Sequence, residues 1–486
     1  MAWPLAVAVF CLHVLLGGGH LYEPDATVQW RNAEALLEGR LAFDPLPGTE
    51  ALYGLPDEHG RVYSRFGLGH AVAGAPFVLA ARALGPLHSE GERGVFATGA
   101  TVEGPVSWAA LPAAAHDDRS FRRLWYGTGG NDFEQALSAW MFGWTSAAAA
   151  AATAAFAYLL ALGLGRAPPA ALGAALLASL ASPLLVYGHE GWSEALLCPF
   201  VVGAALAARR RRYVLVGAAL GAAFLVKPAM AVLALPALAL VAPGGRAALV
   251  RVVLGGLPFL GVALAYNAVR FGTPLESGYG DELGRFSTPV GVGLVGLLLS
   301  PGRGLVIYAP AAVLGLFALP RLPRALALYA VGSLAALLAL YCRWWGWEGG
   351  WCYGPRLLVP ALPLLAAFSF DGLGPQARLA ALVGLVATSL PGLMVEPHDY
   401  YQWVRAYTLT SGEAFFDLLR WDWAYAPIRQ WWTYPVKETM LLPNVASAPG
   451  PVVGGLLSAA LAGLAWAVIV LRRRVVTDSA PERPAR

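Results

Sequence analysis

Charge is what this chain has least of. Only 13% of its 486 residues are Asp, Glu, Lys or Arg, against roughly 25% in soluble domains, and that scarcity excludes a soluble globular protein. Lysine is nearly absent: Lys227 and Lys437 are the two examples, and the remaining basic residues are arginines. An arginine in so alanine-rich a chain reflects GC-rich coding as readily as guanidinium chemistry, whereas a lysine stands out. Cysteine is scarce as well. Cys11, Cys198, Cys342 and Cys352 are too few for a disulfide scaffold and too widely spaced for the usual zinc motifs. The 56 Gly and 36 Pro follow no period, and with 57% hydrophobic residues the chain is neither fibrous nor disordered. A net charge of +4 with no concentrated basic face gives no reason to expect a nucleic-acid partner. A polytopic, all-α membrane protein remains, with a mean hydropathy of +0.56.

A membrane-crossing helix takes about 20 mainly apolar residues. Segments 2–18, 139–164, 170–187, 193–208, 213–225, 229–241, 250–269, 304–319, 325–341, 357–370, 379–394 and 452–471 approach that requirement, which gives about twelve expected spans. Short cytoplasmic loops collect arginine. Placing Arg209 to Arg212 and Arg472 to Arg474 inside also puts Arg166, Arg246, Arg251, Arg321, Arg324 and Arg378 inside, with both termini cytoplasmic. The apolar stretch 68–84 would break this parity if it crossed. Its glycines, its internal Pro76 and its modest length fit a helix lying at the interface, within a large external first loop, 19–135. The amino terminus lacks a basic flank and a small-x-small cleavage site, so it reads as a first span and not as a cleaved signal. The alanine run 147–155 reads as close helix packing.

Acidic and aromatic residues gather at the expected external ends of spans. Glu23 and Asp25 follow the first span; either they cap the next helix, or a partly desolvated carboxylate there serves as a general base. His189, Glu190 and Glu194 surround a short turn, and Glu194 opens an apolar helix, as a cap or as a site carboxylate that needs a partner. Lys227 interrupts an apolar run before Pro228, where it either snorkels or neutralises a lipid phosphate. The run from Arg343 to Arg356 carries Trp347, Glu348 and Trp351 among glycines, an aromatic belt or a platform for sugar rings, and Arg356 has the fork geometry for phosphate. Cys342 and Cys352 flank that run, and whether they pair as a disulfide or stay as thiols is left open by the sequence.

Asp25, the stretch Tyr63-Ser-Arg-Phe-Gly-Leu-Gly69, Ser193-Glu194, Lys227-Pro228, Tyr266-Asn267 with Arg270 to Tyr279, Ser300-Pro-Gly-Arg-Gly304 and Trp351 to Arg356 occur in that order. Together they resemble bacterial GT-C superfamily membrane glycosyltransferases of the family 39 type, relatives of protein O-mannosyltransferases and lipid A aminoarabinose transferases. The resemblance runs to about residue 370 and rests on the order of the motifs along the chain. It implies a catalytic module over 1–394, followed by an external aromatic loop, 395–449, and a last span with a basic tail, 450–486. It implies inverting transfer of a monosaccharide from a polyprenyl-phosphate donor at the external face of the bacterial inner membrane, to a glycan, lipid or protein acceptor, amid membrane lipid. Under it Asp25 is the base and Glu194 a second site carboxylate, with Arg65, Lys227 and Arg356 toward the lipid phosphate. Glu23, Tyr63, His189, Glu190, Tyr279, Trp347, Glu348 and Trp351 complete the expected substrate contacts. The family often has a paired acid where this chain has Ala26, so no cofactor is expected and a divalent metal is not favoured. A lipid-linked sugar flippase or transporter is the alternative. It would place ionisable residues deep in the bundle and show an internal repeat; no clear repeat is found, and of the ionisable residues only Lys227 lies well inside the core spans.

Overall fold

The computed structural model describes residues 1–17, 21, 24–43, 54–57, 59–87, 133–189, 191–369, 388–394, 397–408 and 412–430. The expected span 452–471 and most of 379–394 lie outside the described residues. The rest is mainly helical. In chain order the helices are α1 (Ala2–Leu16), α2 (Pro24–Leu37), α3 (Leu68–Leu84), α4 (Phe133–Gly163), α5 (Pro168–Leu180), α6 (Ser193–Arg209), α7 (Tyr213–Val226) and α8 (Ala234–Val241). They continue as α9 (Gly245–Phe271), α10 (Val290–Leu299), α11 (Pro310–Ala318), α12 (Arg324–Tyr341), α13 (Leu362–Phe368), α14 (Pro397–Thr408) and α15 (Gly412–Trp421).

Three helical runs, Leu137–Gly163, Pro228–Phe271 and Arg324–Tyr341, are long and apolar enough to cross a membrane, and seven shorter apolar helices of 10–17 residues accompany them among the described residues. Proline and glycine explain the shortness. Helix α7 stops at Lys227, which is extended (φ −145°, ψ 110°) because the ring of Pro228 disfavours helical geometry in the residue before it. The run that resumes at Pro228 breaks again at Gly245, whose φ of 62° no ordinary helical residue adopts.

The 31-residue α4 is the central post, packing against α1, α3, α5 and α6. Its alanines do what the sequence suggested: Ala147, Ala150 and Ala154 are fully buried and let neighbouring helices approach. The helix starts two turns before the apolar run does, and those turns hold the first loop. The Trp30 indole donates to Ser138 Oγ at 2.8 Å, and Arg31 reaches Gln135 Oε1 at 3.3 Å.

Helix α3 lies against α2 and α4 through Ala71, Gly74 and Val78, leaving Val72 and Leu79 exposed. At its start Gly67 and Gly69 press on the end of α7; a Cβ on Gly67 would sit 2.2 Å from Leu225 O. That contact fixes where Lys227 emerges. The all-α expectation needs one correction, in the first loop, where strands β1 (Gly54–Pro56) and β2 (Val62–Ser64) form an antiparallel pair with Leu55 opposite Tyr63. Successive side chains of a strand point to opposite faces, so the burial of both Tyr63 and Ser64 means that β2 is covered on each side.

Helices α7 and α9 meet through glycines: a Cβ on Gly217 would lie 1.8 Å from Val252 O, and one on Gly255 2.0 Å from Val214 O. Overpacking of this kind costs roughly 1–3 kcal/mol or more. Gly217→Leu or Gly255→Leu is therefore expected to lower the thermal midpoint of the detergent-purified protein clearly. Gly261→Leu, whose site has nothing within 4 Å, leaves it unchanged; equal midpoints for all three would contradict this packing.

Candidate functional site

One buried carboxylate gathers the polar groups. Glu194 lies in the first turn of α6, where the helix dipole favours an anion, and its side chain is 1% exposed. Lys227 Nζ donates to Glu194 Oε1 at 2.6 Å, Arg356 Nε donates to the same oxygen at 3.0 Å, and Ser193 Oγ lies 3.1 Å from Oε2. Arg356 also donates through Nη2 to Asp25 Oδ2 at 2.6 Å, and its guanidinium stacks over Trp192 at 4.5 Å. Asp25, Arg356, Glu194 and Lys227 thus form one ion-paired chain drawn from α2, the tryptophan-rich loop, α6 and the turn after α7. Asp25 belongs to the first turn of α2, yet its carboxylate is used across the molecule.

This chain borders a cavity of about 1090 Å³. Asp25, Arg65, Lys227, Tyr279, Glu348, Trp351 and Arg356 line it. The remaining expected residues are placed differently. Glu194 is not among the lining residues; it stands behind Lys227 and Arg356 as their counter-ion. Tyr63 is buried in the strand pair, and Trp347 is buried with its ring against Gly296. His189 sits in the turn before α6, where burial first, and then the nearby His13, lower its pKa to about 3. It does not line the cavity. Glu23 and Glu190 lie outside the described residues.

The cavity has a second polar wall. Arg65 pairs with Glu282 at 2.8 Å and faces the Tyr279 ring at 5.6 Å. Burial pushes the Tyr279 phenol up to about 12, with Lys227 acting in the opposite direction, so it stays a neutral hydroxyl. Arg270, at the end of α9, donates to Ser64 O, to Phe66 O at 2.9 Å and to Asn267 Oδ1 at 2.6 Å, and stacks over Tyr266 at 3.9 Å. Apolar side chains of α7, α9 and α12, Leu225, Leu260, Leu264 and Leu340 among them, close the sides.

The tryptophan-rich loop is folded onto a buried arginine. Arg303 donates to Cys352 O at 2.7 Å, to Gly350 O at 2.8 Å and to the Tyr401 hydroxyl. Gly349 and Gly350 take φ of 80° and 74°, a left-handed path that other residues adopt at a cost. No disulfide joins Cys342 and Cys352. Cys342 and Cys352 are separate buried thiols, spent on backbone carbonyls, Cys342 on Ala339 O and Cys352 on Glu348 O. Helices α14 and α15 complete the wall: Phe415 packs on Trp351, Trp421 on Trp347, and Arg420 pairs with Glu348 at 3.1 Å, while Arg405 and Phe416 reach the cavity itself. Among the described residues Glu348 Oε2 is buried and has no hydrogen-bond partner.

Trp192, Arg270, Glu282, Arg303, Arg405, Phe416 and Arg420 were not foreseen as site residues. Arg270 and Arg303 carried a signal, since both fall outside the arginine-rich turns that set topology. Glu282 and Arg420 carried none, because their roles depend on partners 217 and 72 residues away. No protein-family model, curated protein or solved structure matches the chain.

Removing a hydrogen-bonded hub strands buried carbonyls at about 1–3 kcal/mol each. Arg303→Gln is expected to lower the thermal midpoint and to raise the maleimide labelling rate of Cys352 at least tenfold. An unchanged rate would show that the loop holds its shape without Arg303.

Proposed function

We propose that the chain is a polytopic membrane glycosyltransferase that moves a monosaccharide from a polyprenyl-phosphate donor to an acceptor hydroxyl, with inversion. The observation that carries this reading is the 2.6 Å pair of Asp25 and Arg356 on a cavity of about 1090 Å³ that is cationic at one place and apolar or aromatic elsewhere. A prenyl-linked sugar phosphate asks for those surroundings: leucines for the chain, cations for the phosphate and aromatic faces for the sugar ring. Glu348 Oε2 adds an acceptor for a hydroxyl donor. In this reading the chain has about twelve spans, both termini cytoplasmic and the cavity on the outer side of a bacterial inner membrane.

The chemistry follows from the charges. Asp25 takes the proton of the acceptor hydroxyl as its oxygen bonds to the anomeric carbon from the face opposite the phosphate. The bond from that carbon to the phosphate oxygen breaks, and the electron pair leaves with the prenyl phosphate. Its growing charge is met by guanidinium and ammonium groups already fixed by their ion pairs, so little reorganisation is needed. No protonated acid is required on the leaving group. Glu194 orients: buried behind Lys227 and Arg356, it holds both cations at the cavity wall.

Loss of a general base typically costs about 10²–10⁴-fold in rate. Asp25→Asn is expected to reduce label transfer from a prenyl-phosphate sugar in proteoliposomes by that amount, while the protein still unfolds in one cooperative thermal transition. Native-like turnover in the variant would exclude Asp25 as the base.

A further inference from the structure

Helices α14 and α15 lie beyond the residues that the resemblance covers, yet they complete one wall of the cavity, and that wall holds polar groups which the proposed transfer leaves unused. Arg405 is the first. The other cations of the lining are held in place: Arg65, Lys227 and Arg356 are ion-paired, and Arg270 is bonded to Asn267 Oδ1. Arg405 lines the cavity and is exposed, and among the described residues it makes no ion pair or hydrogen bond; the side chains of Asp399 and Glu413 lie outside those residues. It stands one helical turn after Tyr401, whose ring packs on Arg303 and Trp351, so α14 presents it toward the tryptophan-rich loop. Glu348 is the second. It is 5% exposed, its Oε1 is taken by Arg420 at 3.1 Å, and its Oε2 has no partner among the described residues. A buried carboxylate oxygen left in that state is unfavourable until a donor reaches it. Trp351 and Phe416, both half-buried, line the cavity as well and are linked through Phe415, at 6.2 and 5.6 Å, while the Arg420 guanidinium lies 5.4 Å over Phe416.

We infer that Arg405, Phe416, Trp351 and Glu348 form the acceptor subsite, and that the acceptor is an acidic saccharide, a sugar ring carrying a carboxylate. This rests on the glycosyltransferase reading and deepens it, for it chooses among glycan, lipid and protein acceptors. Each group on the wall asks for one part of such a molecule. The aromatic side chains offer faces to the apolar side of a sugar ring. Glu348 Oε2 accepts from a hydroxyl, and the Arg405 fork takes a carboxylate in bidentate fashion. Glu348 does not repel that acid, because Arg420 already neutralises it. An alkyl chain on this wall would bury Glu348 Oε2 without a donor, and a neutral sugar would leave Arg405 unused. Arg356 joins the wall to the base: its Nη1 donates to Gly349 O at 3.2 Å while its Nη2 holds Asp25. A saccharide seated on Glu348, the residue before Gly349, therefore adjoins the carboxylate that takes its proton. Leu260 and Leu264 remain for the donor's chain, and Tyr279 and Phe286 for the donor's sugar.

The test is binding of methyl β-glucuronide and methyl β-glucoside by the full-length protein in nanodiscs, with dissociation constants read by saturation-transfer NMR. The glucuronide is expected to bind about fivefold more tightly than the glucoside, the preference that one partly exposed ion pair supplies. Arg405→Gln is expected to bring the two affinities to within about twofold by weakening the glucuronide alone, and Phe416→Ala to weaken both about threefold. Because Arg405 is exposed, its variant keeps the fold, and the comparison stands even where Phe416→Ala does not fold. Equal binding of the two saccharides by the native protein, or a preference retained in Arg405→Gln, would overturn the subsite. Displacement of the glucuronide by farnesyl phosphate would give the wall to the donor, and displacement by acetate at equal concentration would make it a plain anion site; either result overturns the acceptor assignment. Failure of the glycosyltransferase reading looks different: the glucuronide binds with the expected preference, but the native protein transfers no sugar to it from a prenyl-phosphate donor. Transfer to the glucoside as readily as to the glucuronide would sink the acidic acceptor and leave the transfer itself standing.

Discussion

A carboxylate with 1% exposure inside an apolar bundle is the constraint on which the rest depends. An unpaired Glu194 would be unfavourable by several kcal/mol, and breaking one buried pair costs about 3–5 kcal/mol. Two cations answer it, and each comes from a distant part of the chain, Lys227 from the break after α7 and Arg356 from the start of a 3₁₀ turn. Arg356 then reaches Asp25, 331 residues away in sequence. One buried charge therefore ties the first loop, α6, α7 and the tryptophan-rich loop to a common point, and the cavity opens beside it.

The remaining scaffold serves to hold these segments still. Gly67 lets α3 press on the end of α7, so the emergence of Lys227 is fixed from the side. Arg303 clamps the loop that carries Arg356, and α14 and α15 close over that loop with aromatic contacts.

Much of this was legible in the residues. The break at Lys227 follows from Pro228, the buried alanines follow from the run 147–155, and the approach of Asp25, Glu194, Lys227 and Arg356 follows from their positions at span ends. Pairing was not legible. Nothing local says that Glu194 stands behind two cations, or that Glu282 meets Arg65, because ion pairs between distant segments carry no spacing rule. The strand pair before Arg65 was missed because its strands are three residues long and lie in a loop rich in glycine and proline. The state of Cys342 and Cys352 was not legible for a related reason: flanking one loop in sequence does not say whether two thiols meet. Span number was blurred by proline and glycine, which cut apolar runs into helices shorter than hydropathy suggests.

The most direct measurement of the central claim is a double-mutant cycle on the buried pair, using Glu194→Gln, Lys227→Met and the combination, with unfolding free energies measured in one detergent. If Glu194 organises the site through its cations, each single variant is destabilised, and the double variant loses less than their sum by about 2 kcal/mol, within the range seen for contacting charges. Strictly additive losses would contradict the account.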